Sequence, residues 1–573
     1  MNRLTKILLA ASLVPASAYA QGSIAEFNIH SGDQAGLLWQ NGPRNNDQRG
    51  AGAEHQAAAL IPNAEGGAKL VVSATASYTD IPNSPVNHRI QALCASYKLD
   101  PMQGLVKDQI KYVTNNDGDE YQNAHKVSLT PVLGGTAVLQ TYGYDPDNNT
   151  AFYGQVLDGS CNKLANQTLL LAKNNDDVNG TGDAEAAITY DSPTETRLVE
   201  CVIGNGNGRD DGWCLGISVK KDAAGKVTVK RDWDISVVAQ EERTRMYVVP
   251  TAIPEHVLYC AAEGNSQPPQ IGVRCGLLNA APGVNNNERI VYRKFIAQRE
   301  GKIYRTTPNV AVVRDAEGKP TNDVVISYVE VDTSQRNGRN KGKTTIMTTR
   351  AKVGPTSLEF TPPSPDMIPF GDKAHPSMCT GNYGPNGESV AFLLGGSIVD
   401  GARTTGTATV IGLDGATGMK KVRDVAIQPL ALGYISQYYG NNPNTPQGRN
   451  HQTCQMLRNP GYGVVGGFQP EVKDFLLMPS TSRKLRQDGT AEDKLALSVV
   501  LVPAVVPAAA PTPDPEPDPT PTPDPEPEPD PTTPEPNDPG GSVGGCSTSG
   551  SSNGAMILVL GAAVAILRRR RRN

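Results

Sequence analysis

An all-β chain, folded as a seven-bladed β-propeller and followed by a disordered stalk, is the architecture this sequence predicts. Three observations lead there. Between Gln21 and Pro503 few segments carry apolar residues at the three- and four-residue spacing of a helix. Short Val/Ile/Leu/Tyr/Thr runs bounded by Gly, Asn, Asp and Pro take their place. These runs recur as seven units: a strand-like segment, a tight turn, a strongly apolar strand, a polar loop and a further strand.

The apolar strands at the centre of the units are Leu70–Ser73, Ala137–Gln140, Arg197–Glu200, His256–Tyr259, Asp323–Ile326, Ser389–Phe392 and Gly463–Gly466. Taking Val71, Val138, Leu198, Val257, Val324, Val390 and Val464 as markers, successive steps are 67, 60, 59, 67, 66 and 74 residues. Such a period accommodates a four-stranded antiparallel blade with generous loops. A blade is buried on both faces, so its strands need not alternate strictly, as Val324-Val325-Ile326 does not. Two or three β-sandwiches in tandem also give many short strands, but no Pro/Ser-rich linker divides the body before Pro503. Ring closure is open between two arrangements. Ala25–Ile29 supplies a strand to the last blade, or Lys494–Val502 completes that blade unaided.

Residues 1–20 read as a signal peptide. Arg3 and Lys6 form a basic region, Ile7–Ala16 an apolar one, and Ala18-Tyr19-Ala20 a cleavage site. Residues 21–503 form the repeat body. Residues 504–540 alternate Pro with Asp, Glu and Thr, a composition that cannot pack a core and favours extended polyproline II. At ~3.1 Å per residue this stalk reaches roughly 100 Å. Residues 541–573 hold Cys546, a 14-residue apolar run from Gly554 to Leu567, and the cluster Arg568–Arg572. The run falls short of the roughly 20 residues of a spanning helix, and reads as a short sorting helix that engages the membrane with its arginines held inside.

The Gly-Cys, short apolar helix and Arg cluster resemble the MYXO-CTERM sorting signal of myxobacterial surface proteins. That resemblance implies a Gram-negative cell surface or outer membrane, a sorting protease at the membrane as partner, and Cys546 as the residue needed for processing. Two Asp-rich stretches also resemble the FG-GAP calcium loops of integrin-like propellers. In the first, Asp177, Asn179, Thr181 and Glu185 fall at alternating oxygen-ligand positions around Gly182, a spacing that suits Ca²⁺. In the second, Asp315, Glu317 and Asp323 do so, with Lys319 and Pro320 departing from the pattern. Asn, Asp and Gly make ordinary turns equally well.

Of nine cysteines, Cys546 belongs to the tail and eight to the body. An even set in an exported chain implies disulfides. The register places Cys201 with Cys214, and Cys260 with Cys275, across the second and third strands of units three and four. Cys379 and Cys454 sit near the starts of units six and seven, and Cys94 and Cys161 remain in units one and two. His55, His125, His375 and His451 open four units, as a ring of imidazoles at a channel mouth or as ordinary polar residues at strand starts. A Cys₂His₂ metal set from Cys379, Cys454, His375 and His451 competes with a disulfide.

Without the stalk, Arg3, Lys6 and the terminal arginines, the body keeps 46 basic residues (53 less 7) against 49 acidic (58 less 9). A nearly neutral body excludes a nucleic-acid partner bound by bulk charge. No G-x-S-x-G, H-E-x-x-H or P-loop is present. Trp213, Tyr434, Tyr438, Tyr439 and Tyr462 are aromatic candidates for a binding platform. The function expected is therefore binding or adhesion toward a surface glycan or protein, with Ca²⁺ as the cofactor considered. The alternative is an extracellular enzyme acting on polysaccharide or peptide at the channel mouth.

Overall fold

The computed structural model describes strands and tight turns between residues 25 and 504. Several connecting segments, the first 24 residues and everything after Ala504 lie outside the described residues. The stalk, Cys546 and the apolar tail are therefore among those not described, and no described helix is long and apolar enough to cross a membrane.

The strands form seven antiparallel meanders. Blade 1 comprises Glu54–Pro62, Ala68–Tyr78, Arg89–Asp100 and Gly104–Tyr112. Blade 2 comprises Asn123–Val132, Ala137–Asp145, Ala151–Leu157 and Lys163–Leu171, and a single parallel pairing, Ile90 with Asn123, joins the two. In blade 3, Asp176–Thr181 and Ala187–Asp191 share the first position, followed by Glu195–Gly206, Arg209–Lys221 and Val227–Glu241. Blade 4 runs Tyr247–Pro250, His256–Glu263, Gly272–Asn279 and Ile290–Gln298. Blade 5 runs Ile303–Arg314, Pro320–Asp332 and Lys343–Val353, with Leu358–Phe360 and Ser364–Asp366 on its outer edge. Blade 6 runs Ser377–Tyr383, Glu388–Val399, Arg403–Gly412 and Lys420–Ile427.

Blade 7 closes the ring. Tyr434–Ser436 and Gln455–Arg458 both pair with Asp474–Leu485, which pairs with Ala491–Ala504. The outermost strand is N-terminal: Ala25, Glu26 and Phe27 pair with Leu501, Val500 and Val499. Of the two closures open in the sequence, the borrowed strand is the one present. The first strands pack side by side in cyclic order, with blade 7 against blade 1. Across that last seam the Ala58 N–H donates to Gln455 Oε1 at 2.9 Å. The fold is a seven-bladed propeller.

Six of the seven apolar markers lie on the second strand of their blade. The seventh is corrected. Val464 itself lies outside the described residues, its neighbour Val465 is in a turn with its side chain fully exposed, and the second strand of blade 7 is Asp474–Leu485.

Packing between blades explains the non-alternating runs. Val324 and Ile326 face the seam toward blade 4, while Val325 packs toward blade 6 with Ala391 and Ile411. A glycine recurs where a third strand must admit a large neighbour. A Cβ on Gly216 would fall 2.1 Å from Trp233 Nε1, and one on Gly276 would fall 2.6 Å from the Tyr259 ring. Cys201–Cys214 and Cys260–Cys275 are disulfides between directly paired residues of neighbouring strands. Cys94–Cys161 crosses from blade 1 to blade 2 and closes a separation of 67 residues, a constraint worth about 4 kcal/mol in the chain-entropy account. Cys379 is disulfide-bonded, and Cys454 lies outside the described residues.

Candidate functional site: the axial mouth

All first strands run in the same direction, so their C-terminal ends meet at one mouth of the ring. The tight turns between first and second strands surround that mouth. A cavity of about 310 Å³ opens there, lined by residues of blades 1, 2, 5, 6 and 7. Leu60, Pro131, Met456 and Leu457 give it apolar walls, and Leu60 and Leu457 are buried.

Its polar rim comes from two strand ends. Arg314 is the last residue of the first strand of blade 5, and Arg458 holds the same place in blade 7. Arg314 Nη1 donates to Gly318 O at 3.0 Å. The Arg458 guanidinium lies against Gly318, where a Cβ would be 3.7 Å from its Cζ. Asp315 and Glu317 complete the rim, and Glu317 is exposed. Thr380, also in the lining, donates its hydroxyl to Val312 O and so joins blade 6 to blade 5. The first-to-second-strand connection of blade 7, which follows Arg458, carries the exposed Tyr462, whose N–H donates to Asn459 O at 3.1 Å.

The turn at Asp315 shows why these groups stand where they do. Asp315 Oδ1 accepts from the Glu317 N–H at 3.0 Å and from the Lys319 N–H at 2.8 Å, while Gly318 N–H donates to Asp315 O at 2.9 Å. Gly318 takes φ 82°, which this turn requires and which glycine adopts without strain. The same device recurs at Asp158, whose Oδ1 accepts from Ser160 and Asn162, and at Asp222, whose Oδ1 accepts from Lys226. An Asp side chain bonded to the backbone donor four residues on holds each turn, and at Asp158 and Asp315 it also accepts from the donor two residues on.

The residues of the second calcium-like stretch fall in two places. The Asp315 carboxylate serves its own turn, and Asp323 lies on the following strand with Arg350 Nη2 at 3.2 Å from its Oδ2. Asp315 and Glu317 belong to the mouth, and Asp323 does not line it. In the first stretch, Asp177, Asn179 and Thr181 lie in the inner strand Asp176–Thr181 rather than in a loop, and Gly182 to Glu185 lie outside the described residues. Among the described residues no three His, Cys, Asp or Glu side chains are grouped to hold a metal. His55 and His125 fall in first strands, while His375 and His451 lie outside the described residues. Trp213 is buried, Tyr434 is on a short strand, and Tyr438 and Tyr439 are not described.

Two carboxyl groups are displaced upward from the ordinary carboxylate range. Burial raises Glu263, against the opposing pull of Arg274 Nη1 at 2.6 Å. Glu263 ends the second strand of blade 4, on the far side of the ring from the mouth. Glu200 is wholly buried between blades 2 and 3, and burial pushes it up to about 7. Its Oε1 accepts from Ser128 Oγ and Thr141 Oγ1, each at 2.6 Å, and its Oε2 has no partner among the described residues.

Sequence reasoning missed Arg314, Arg458 and Glu200. The arginines carry one usable signal, a basic residue at the last position of a first strand. Glu200 carries another, a lone carboxylate inside Leu198-Val199-Glu200-Cys201-Val202.

No family model matches the chain, and no curated protein matches it in sequence. Among solved structures it is similar to the α-L-arabinofuranosidase Arb93A from Fusarium graminearum in complex with an iminosugar inhibitor. That likeness has 10% identity and a TM-score of 0.36, over 84% of this chain and 98% of that one. It is also similar to the WD40 domain of SCAP from fission yeast, at 8% identity and a TM-score of 0.35, over 79% and 95%. A third is a mutant of AofleA from Arthrobotrys oligospora, at 10% and 0.33, over 66% and 90%. Likeness at this level says nothing of chemistry. The propeller stands on its own blades and closed inner ring.

Proposed function

We propose that this is an exported binding protein, held at a cell surface by its C-terminal tail, whose ligand site is the axial mouth. The observation that carries the reading is the cavity itself: apolar walls and a rim of two guanidiniums and two carboxylates. Pockets of this kind, concave and mostly apolar with a few convergent polar groups, are where small ligands bind. Three disulfides among the described residues support an oxidising compartment. The signal-peptide pattern, the acidic stalk and the Gly-Cys-apolar-Arg tail support export and tethering.

The second reading is an extracellular enzyme acting on polysaccharide or peptide at the same mouth. Asp315 and Glu317, two carboxylates on one cavity rim, are the observation in its favour. The name of the compared arabinofuranosidase agrees with it, and at that score lends it no weight. Against it, Asp315 Oδ1 already accepts two backbone N–H bonds.

The purified mature protein, screened against glycans and cell-surface fractions for both binding and turnover, decides between them. Binding without turnover, weakened in Arg458→Ala, supports the binding reading. Turnover abolished in Glu317→Gln replaces it with the enzyme.

A further inference from the structure

We infer that the axial mouth takes an uncharged polyhydroxy ligand, one or two rings of a neutral saccharide, and not an anionic or cationic group. The inference rests on the reading of the mouth as a binding site and names what that site selects.

The charge of the rim is the first ground. Arg314, Asp315 and Glu317 from the blade 5 turn and Arg458 from blade 7 line one opening, two positive groups and two negative. An anionic ligand drawn to the guanidiniums meets Glu317, and a cationic one drawn to the carboxylates meets Arg458. Each loses on one side what it gains on the other. The body adds no field to tip the balance, with 46 basic residues (53 less 7) against 49 acidic (58 less 9).

Hydrogen-bonding chemistry is the second ground. Guanidinium groups only donate and ionised carboxylates only accept. A rim built from both suits a ligand whose groups do both at once, as each sugar hydroxyl does.

Shape and surface are the third. Leu60, Met456 and Leu457 line the cavity, and Tyr462 is 49% exposed on the connection that begins beside Arg458. Tyr offers a flat apolar face with a polar edge, which suits the C–H face of a sugar ring. A volume of about 310 Å³ sits at the lower end of ligand pockets, which run from about 300 to 1,000 Å³. That admits a ring or two, and a longer polymer only by its end.

The test is calorimetric titration of the mature full-length protein with neutral disaccharides (lactose, cellobiose, maltose), the corresponding uronides, and a short acidic peptide. Each is measured at low and at high salt. The expected result is binding of a neutral disaccharide that changes less than about twofold with salt. It falls by about tenfold or more in both Arg458→Ala and Glu317→Ala. Both side chains are exposed, and near-ultraviolet circular dichroism checks that each variant keeps its fold. Tighter, salt-sensitive binding of the uronide or the peptide, lost in Arg458→Ala, keeps the site and overturns the neutral-ligand inference. Neutral binding that survives both substitutions moves the ligand off this mouth and overturns it too. Wild-type protein that binds none of the probes, yet retains on cell-surface fractions through Arg458, leaves the binding reading standing and rejects the saccharide.

Discussion

Glu200 makes the blade 2–3 seam sensitive to pH, and the direction follows from its surroundings. The carboxyl is fully buried, has one oxygen without a partner among the described residues, and no charge helps hold it ionised. Burial is the leading cause of its rise from 4.5 to about 7, and the two hydroxyl bonds oppose it only in part. The folded state thus keeps a proton that the unfolded chain has released. The contribution of Glu200 to stability is greatest below pH 4.5, falls as pH climbs from there, and stops falling once Glu200 ionises in the folded state, above about 7. At about 1.4 kcal/mol per unit, the loss across that window is about 3 kcal/mol. Replacing Glu200 with Gln keeps an acceptor for Ser128 and Thr141 and removes the titration. Its buried amide donors cost about 1–3 kcal/mol at any pH, so the informative quantity is the slope. Urea unfolding of both proteins from pH 4.5 to 8 should show the variant gaining about 3 kcal/mol on the native protein across the series. Parallel curves would refute the reasoning and mean that water or an undescribed group solvates the carboxylate.

Three further expectations are simpler to check. Cys161→Ser, which opens the bridge between blades 1 and 2, should lower stability by about 4 kcal/mol, and non-reducing peptide mapping of the native protein should link Cys94 to Cys161. Equal unfolding midpoints for the two would mean that the seam is held without the bridge. Cys546→Ala should abolish tail trimming and surface retention, read by intact mass and cell fractionation. Unchanged trimming would remove Cys546 from the sorting signal. Chelator should lower the melting temperature by a few degrees, and Asp177→Ala should cancel the effect, if the acidic inner strand of blade 3 holds Ca²⁺ with Glu185. A native protein indifferent to chelator would make that stretch purely structural.

The repeat was legible because the second strand of a blade is buried on both faces and so is written in consecutive apolar residues. Leu70-Val71-Val72 and Val324-Val325-Ile326 could hardly serve elsewhere, and all are buried. Blade 7 broke the rule for a physical reason. Its second strand, Asp474–Leu485, turns polar after Pro479, whereas Gly463-Val464-Val465-Gly466 offers a short apolar run in sequence although Val465 lies in a turn. Cross-strand cysteines were legible for the same reason as the strands, since register alone puts Cys201 opposite Cys214. The mouth was not. Arg314 and Arg458 end strands of blades that are not sequence neighbours, and only closure of the ring brings them to one cavity. At Asp315 the sequence leaves two readings open, because backbone donors satisfy an aspartate as well as an ion does. A turn and a metal loop share one spelling.

Similar blades raise a further problem, the order in which they dock, and the buried polar residues answer it. The position two beyond the apolar marker of blades 1 to 5 faces a neighbouring blade, the following one for blade 1 and the preceding one for blades 2 to 5. It is Ser73, Gln140 and Glu200 in blades 1 to 3, then Tyr259 and Ile326 in blades 4 and 5, all fully buried. Gln140 Nε2 donates to Ser73 Oγ at 2.5 Å, so that blade 2 recognises blade 1. Gln140 Oε1 accepts from Gln155 Nε2 at 2.7 Å, which fixes the amide within its own blade. Glu200 finds Ser128 and Thr141 only on blade 2. Docked against an apolar seam instead, either side chain would lose its partners, at about 1–3 kcal/mol for each buried group left unsatisfied. Blades 4 and 5 need no such device, because the ring of Tyr259 over Gly276 already gives its seam a distinct shape. The last seam joins the two ends of the body, and it is again polar, with Gln455 bonded to the backbone of Ala58. Buried polar pairs thus mark the first two seams and the last, and Thr380 bonded to Val312 O adds another between blades 5 and 6, so an error of order would leave such groups unpaired and the channel, with the mouth at its end, unformed.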